Sequence, residues 1–316
     1  MQLPDSFITT IQKAFKEDGE NFLAFLPALV EDASQRWGLT DIRPVPNLSY
    51  NFVAFAKRGT EDVILKIGVP NPELNSEMVA LKLFDGDGAC QLLACDEERG
   101  FLLLERLNPG TVLADIPDDE RTNIAIDVMQ KIWRPLDSGS SLALRVLPAA
   151  EQQAARLQSF IQLSDWFDEL KTVRPKFDGG TGPFPKKIFE RVESFLPELF
   201  ADENVKLIHG DFHHFNILLS ERGWLAIDPK GVIGPAGYEI GPLMINPWGS
   251  LSDGVSFKAQ TKRRIDIFRE RLGWERETIL KWATAHAVLS TWWDTQPDGT
   301  GGEYSLWCAE MFSEIN

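Results

Sequence analysis

The sequence is poor in basic charge, in cysteine and in long apolar runs, and each shortage removes a class of function. Its 316 residues carry 32 Lys and Arg against 47 Asp and Glu, a formal net charge of −15, with a pI near 4.8. Phosphate backbones and anionic lipid surfaces are held by clustered Lys and Arg, so neither a nucleic-acid nor a membrane partner is expected. Three cysteines, Cys90, Cys95 and Cys308, are too few for a disulfide framework in a chain this long, and the first two are too widely spaced for a C-x-x-C pair. A reducing, cytoplasmic setting is the expectation. The first apolar run, Phe22 to Val30, contains Pro27 and has no basic flank of the signal-peptide kind. It is far shorter than the roughly 20 residues that span a bilayer. Histidine is scarce too. Three of the four, His209, His213 and His214, cluster within six residues, but no Cys lies close, so a zinc site is not expected. "DGDG" at 85–88 is followed by Ala89 and Cys90 where an EF-hand loop needs a ligand and a glycine, and reads as a turn.

What is present is a globular composition, 43% hydrophobic and 25% charged, long enough for two domains or lobes at roughly 150 residues each. Helical spacing predicts a helix over 22–37. "NFVAFAK" and "DVILKIG", joined by "RGTE", predict a hairpin, and "ELNSEMVALKLF" a helix ended by "DGDG". "ACQLLAC" and "GFLLLER" predict two more strands. After Asn108-Pro109-Gly110 the pattern turns helical, with expected helices over 118–136, 151–171, 186–201, 262–272, 276–294 and 303–314. A strand–loop–hairpin stretch over 205–228 interrupts them, and 178–185 reads as a surface loop. The expected architecture is α+β with two lobes: residues 1–107 as an antiparallel-sheet lobe with one prominent helix, and 108–316 as a mainly helical lobe. Lys262-Arg263-Arg264 shares its helix with Asp266 and Glu270 and reads as a solvated face.

Four separated features fit one chemistry. In "LIHGDFHHFNILL", Asp211 stands five residues before Asn216 on a loop between apolar strands. Asp211 can accept a proton from an attacking hydroxyl, and Asn216 can ligate Mg²⁺ through its amide oxygen. In "WLAIDPKG", Asp228 ends an apolar strand, where a carboxylate can hold a metal that bridges nucleotide phosphates. Lys66 sits in the apolar strand "VILKIG", and Glu77 on the following helix is its natural ion-pair partner, aiming it at the α/β-phosphates. The order is Lys, Glu, H-x-D-x(4)-N, then a strand-ending Asp, which is the order of phosphotransfer parts in protein kinases.

The string "HGDFHHFNIL" is similar to the H-G-D-x-x-x-x-N loop of the aminoglycoside phosphotransferase family, a small-molecule branch of the protein-kinase-like fold. "IDPKG", "YEIGP", "LSYNFVAFA", "EMVALKLFDGDGACQLLACD" and "GFLLLERLNPGT" resemble its streptomycin 6-kinase and hydroxyurea kinase-like subgroup, from about Leu48 to Asp294. The resemblance implies a nucleotide-binding lobe over 1–107 and a lobe with catalytic loop and acceptor site over 108–316. It implies ATP- and Mg²⁺-dependent O-phosphorylation of a small hydroxyl-bearing acceptor, an aminoglycoside or a hydroxyurea-type antibiotic. A metabolic kinase of an amino alcohol or sugar is the alternative, and a nucleotide-binding pseudokinase the second.

Carried over by residue, the resemblance makes Asp211 the catalytic base and Asn216 and Asp228 the Mg²⁺ ligands. It assigns Lys66 and Glu77 to the phosphates, Glu105 and Leu107 to the strand where backbone groups hold adenine, and Lys230 to phosphate charge. There is no G-x-G-x-x-G. The equivalent stretch, "NLSYNFV", leaves Ser49, Tyr50 and Asn51 to cover phosphates through backbone amides or short side chains. Glu239 stands where the family more often shows an Asp that steadies the catalytic loop. With Trp293 and Asp294 it is also a candidate wall of the acceptor cleft. A carboxylate and aromatic faces there would suit a cationic acceptor.

Overall fold

The computed structural model describes residues 3–135, 160–249, 253–296 and 299–315. The chain opens with α1 (Asp5–Trp37), which is interrupted at Lys16, where φ is +52°. The expected helix over 22–37 is its second half; the polar stretch before it gave no helical period. Gly38 ends the helix in the left-handed conformation, its N–H donating to Ser34 O. Then come β1 (Leu39–Pro44), β2 (Phe52–Arg58) and β3 (Glu61–Ile67), α2 (Pro72–Phe84), β4 (Leu92–Asp96) and β5 (Phe101–Glu105). They form one antiparallel sheet in the order β1-β2-β3-β5-β4. Along β3, Val63, Leu65 and Ile67 are buried on one face, against Phe7, Ile11, Phe22 and Leu26 of α1. Period-two alternation therefore sends Lys66 to the other face, where α2 lies.

The second part holds two small sheets that the sequence showed only in fragments. One is β11-β10-β6, built from β6 (Pro109–Val112), β10 (Ile217–Ser220) and β11 (Gly223–Ala226). The other is β7-β9-β12-β8, from β7 (Arg134–Pro135), β8 (Ile161–Gln162), β9 (Val205–Ile208) and β12 (Val232–Pro235). Around them lie α3 (Asp118–Ile132), α4 (Leu163–Asp168), α5 (Val173–Lys176), α6 (Lys186–Phe200), α7 (Ile240–Ile245), α8 (Gly254–Leu272), α9 (Arg276–Asp294) and α10 (Glu303–Ser313). The helix expected over 151–171 begins outside the described residues; its described part is β8 and then α4, not one helix. Helix α8 starts eight residues before the expected 262, with Asp253 Oδ1 accepting from Ser256 N at 2.8 Å as its cap.

Arg264 also corrects the sequence reading. It is buried, not solvated: its guanidinium bonds Asp118 and the carbonyls of Leu243 and Asn246. Lys262 and Arg263 beside it are exposed.

Apolar burial does not break at Leu107. Met78, Leu81 and Phe84 of α2 share one continuous core with Ile126 and Met129 of α3 and with Ile208, Ile217 and Val232. Helix α9 runs through that core, buried at Ile279, Trp282, Ala283, His286 and Leu289. Among the described residues no helix is long and apolar enough to cross a membrane, and Cys90, Cys95 and Cys308 are free thiols.

Candidate active site

Helix α2 starts where the sequence provides a start. Asn71 Oδ1 accepts from Glu73 N and Leu74 N at 2.8 and 3.1 Å, and Pro72 follows at the first helical position. That places Glu77 under β3. Lys66 Nζ donates to Glu77 Oε1 and Oε2 at 2.7 and 2.6 Å and to Asp228 Oδ1 at 2.5 Å. Lys66 and Glu77 are both 4% exposed, whereas the Asp228 side chain is 38% exposed. Burial pushes the Glu77 carboxyl up to about 7, against the pull of Lys66. Burial also opposes the charge on Lys66, but Asp228 and Glu77 outweigh it and hold the ammonium above its ordinary range. Asp228 is held well below the usual carboxylate range: burial works against this, and Lys66 and Lys230 overcome it. Its φ of +58° is left-handed for a non-glycine residue, a conformation that costs on the order of 1 kcal/mol or more and concentrates at functional sites.

The loop carrying Asp211 is tied to Asp228 through its own backbone. Asp211 N–H donates to His209 Nδ1 at 3.2 Å, so His209 carries its proton on Nε2, which meets Ile227 O at 2.9 Å. Burial lowers this imidazole to about 4 and keeps it neutral. Lys230 N–H and Gly231 N–H both donate to His209 O. Asn216 Nδ2 donates to Asp211 O at 3.0 Å, and Ile227 N–H donates to Asn216 O at 2.9 Å. Asn216 is thus bonded to the residue before Asp228, and since its amide nitrogen is spent on the loop, its amide oxygen is left to bind a ligand. Gly210 has φ +86°, and a Cβ there would lie 2.5 Å from Val232 Cγ2, so only glycine lets the loop close on β12.

Glu239 lies beneath this loop. It is fully buried, and Oε1 accepts from Gly210 N at 2.8 Å. It therefore steadies the backbone before Asp211 and does not line a cleft, which corrects its grouping with Trp293 and Asp294. Among the described residues Oε2 has no hydrogen-bond partner, and burial raises the carboxyl to about 8.

Asp211 opens onto a cleft of 380 Å³ whose walls include His213, Phe215, Asn246, Trp248, His286 and Trp293. Phe215, Trp248 and Trp293 are each 42–50% exposed. Trp293 Nε1 donates to Glu169 Oε2 at 3.2 Å, and its ring stands edge-on to Trp166. Asp294 is not part of that wall. It is exposed at the end of α9, and burial and Glu303 raise its carboxyl.

The structure thus brings Lys66, Glu77, Asp228, Asp211 and Asn216 together and adds Lys230, whose ammonium pairs with Glu73 at 2.7 Å. Burial opposes that charge too, but Asp228 and Glu73 raise it. Ser49 is exposed in the loop between β1 and β2. Glu105 ends β5 with its side chain held by Arg222 and by Gln91 N–H, and its own N–H donates to Gln91 O. Leu107 is buried beyond it. Sequence reasoning missed the cleft residues Asn246, Trp248 and His286. The one signal was the pair Gly237 and Gly241: a Cβ at either would lie 2.3 Å from Trp282 Nε1 or His286 Cβ respectively, so this i, i+4 pair marks the close approach of α9.

Among the described residues no three His, Cys, Asp or Glu groups gather as a metal cage. Asn216 and Asp228 supply oxygen donors only, the pattern of a hard divalent cation that completes its shell with phosphate oxygens and water.

A family model described as aminoglycoside/hydroxyurea antibiotic resistance kinase matches residues 36–299. The chain is 26% identical over 303 residues to a streptomycin 6-kinase of Streptomyces glaucescens, covering 95% of this chain and 92% of that one. It is 28% identical over 291 residues to a hydroxyurea phosphotransferase of Kitasatospora aureofaciens, covering 88% and 76%. Among solved structures it resembles the choline kinase LicA from Streptococcus pneumoniae (TM-score 0.59, 15% identity, 92% of this chain and 98% of that one). It also resembles the aminoglycoside phosphotransferase APH(4)-Ia (TM-score 0.57, 14% identity, 92% and 98%). The fold is protein-kinase-like, with an antiparallel-sheet N-terminal part and a mainly helical C-terminal part.

Proposed function

The chain belongs to the aminoglycoside/hydroxyurea antibiotic resistance kinase family, and from that membership and the site geometry we propose that it transfers the γ-phosphoryl group of ATP to a hydroxyl of streptomycin or of a hydroxyurea-type antibiotic. The observation that carries this reading is the Lys66–Glu77–Asp228 ion-pair set, with the residue before Asp228 bonded to His209, which holds the Asp211 backbone, and to Asn216. The division into a nucleotide lobe over 1–107 and an acceptor lobe over 108–316, with ATP between them in the cytoplasm, is part of the same proposal.

In this reading Lys66 holds the α- and β-phosphates, and Glu77 keeps its ammonium aimed there. Lys230 adds positive charge beside Asp228. Glu105 and Leu107 offer backbone groups to adenine, and the loop at Ser49 covers the phosphates. Asn216 and Asp228 hold Mg²⁺, which when bound offsets charge on the phosphoryl oxygens. Asp211 orients the acceptor hydroxyl and takes its proton while that oxygen bonds to the γ-phosphorus and the bond to the β–γ bridging oxygen breaks, leaving ADP. Such a base is worth roughly 10²–10⁴ in rate. His209 and Glu239 fix the loop so that Asp211 need not reorganise.

The test is a coupled ADP-release assay with Mg-ATP and a panel of streptomycin, hydroxyurea and choline. Transfer to streptomycin or hydroxyurea is expected. Asp211→Ala should keep nucleotide binding, read as a thermal shift with Mg-ATP, and lose transfer by at least 10². Near-normal turnover in that variant overturns the assignment of Asp211, and turnover of choline alone moves the protein to metabolic kinases.

A further inference from the structure

At the floor of the acceptor cleft, beside Asp211, lies a group that the phosphotransfer chemistry does not use. His286 is 6% exposed and lines the cleft from α9. Its Nδ1 lies 3.0 Å from the hydroxyl of Tyr238, and the two rings stand edge-on, 5.4 Å apart at 75°. Tyr238 is fully buried. Among the described residues its hydroxyl has no other partner, so the phenol proton is satisfied only by His286 Nδ1. A neutral imidazole that accepts at Nδ1 carries its own proton on Nε2. Burial keeps the ring neutral, lowering it to about 3 even with Asp211 facing it, and keeps the phenol protonated. Nε2 has no protein partner among the described residues, and it is not one of the sealed, unpartnered polar atoms. The edge that carries it turns away from buried Tyr238, toward the cleft.

The placement is built into the chain. Gly241 carries no Cβ where one would lie 2.3 Å from His286 Cβ, which lets α9 bring the imidazole in against the start of α7 and the 3-10 helix before it. The cleft also has aromatic walls, from Phe215, Trp248 and Trp293, the last on α9 two turns beyond His286, and Asp211 is its carboxylate.

We propose that His286 is an acceptor-binding residue: its Nε2–H donates a hydrogen bond to an oxygen of the acceptor, a hydroxyl or carbonyl near the hydroxyl that is phosphorylated, with Tyr238 as the positioning residue that fixes the donor. A fixed N–H donor selects an oxygen at that point and rejects an ammonium group, so cationic groups of an acceptor are sent to the aromatic wall. This rests on Asp211 being the catalytic base of the proposed reaction.

The experiment is steady-state kinetics on wild type, His286→Leu, His286→Gln, His286→Asn and Tyr238→Phe, with streptomycin and hydroxyurea as acceptors. A single neutral hydrogen bond is worth about 1–1.5 kcal/mol, roughly tenfold in affinity. His286→Leu should therefore raise the acceptor KM about tenfold and leave the KM for ATP within twofold. Gln can return a donor near the Nε2 position and should recover most of the loss. Asn keeps a group near Nδ1 for Tyr238, withdraws the donor from the cleft, and should not recover it. Tyr238→Phe, which removes one oxygen and little packing, should raise the acceptor KM several-fold and reports even if His286→Leu does not fold. An unchanged acceptor KM in both His286→Leu and Tyr238→Phe overturns the inference, as does equal recovery by Asn and Gln. If wild type phosphorylates neither acceptor, the proposed function itself fails and takes this inference with it.

Discussion

Replacing Glu239 by Gln separates a buried acid from its pH dependence. In the folded chain this carboxyl is 0% exposed, and burial raises it to about 8 against the backbone hydrogen bonds of Gly210 and His209. In the unfolded chain it titrates near its ordinary 4.5. The folded state thus holds a proton that the unfolded state has released. Its stabilising effect is complete below pH 4.5, declines as pH rises and is gone above about 8. At about 1.36 kcal/mol per pKa unit, the raised pKa corresponds to roughly 4–5 kcal/mol across that window. Gln keeps the oxygen that Gly210 needs and places an NH₂ where the protonated acid has its O–H, so each leaves a comparable unsatisfied donor. The measurement is urea denaturation of wild type and Glu239→Gln at pH 5, 7 and 9. The two should agree within about 1 kcal/mol at pH 5, and the variant should be more stable by several kcal/mol at pH 9. A gap that is the same at pH 5 and pH 9 refutes the reasoning, because it would mean that folding leaves the Glu239 carboxyl titrating as it does in the unfolded chain.

Lys66→Met leaves Glu77 and Asp228 facing each other without their shared cation. Loss of one partner from a buried ion pair costs about 3–5 kcal/mol, so a lower melting temperature is expected together with an ATP KM raised at least tenfold. An unchanged KM for ATP would remove Lys66 from the phosphate site. Gly241→Ala puts a methyl 2.3 Å from His286 Cβ. Overpacking of this kind costs about 1–3 kcal/mol, and here it should also raise the acceptor KM, since α9 must shift; an unaltered melting temperature would show that the contact is slack.

Local chemistry was legible and long-range chemistry was not. Lys66, Glu77, Asp211, Asn216 and Asp228 each sit in a segment whose own pattern announces its element: an alternating strand, a capped helix, a loop between apolar strands. Their convergence followed from order along the chain. Asp294 misled because adjacency to Trp293 in sequence became opposite placement at the end of a helix: the ring reaches the cleft and the carboxylate does not. Glu239 was read for both of its roles, and burial decided between them. His286 was invisible because a single histidine in an apolar helix carries no period. Its partner Tyr238 is 48 residues away, in the short 3-10 helix Ala236–Glu239 that leads into α7, and only the packing of that segment on α9 brings them together. The short strands β6 to β8 escaped because two to four residues are too few to show alternation, and Arg264 because a basic triplet does not reveal which of its members turns inward.

Helix α2 rests directly on the turn that follows Asp228. A Cβ at Gly231, whose φ is +63°, would lie 2.6 Å from Ser76 O, and the Ser76 hydroxyl donates to Gly231 O at 2.5 Å. The helix that carries Glu77 and the strand end that carries Asp228 therefore behave as one rigid piece. An enzyme whose helix must swing inward to form its lysine–glutamate pair can be held idle by anything that holds the helix out. Here that swing would tear open a glycine-tight seam and part Glu77 from Lys66. The lysine, the glutamate and the metal-side aspartate are thus kept in register by a close backbone contact, not by a hinge.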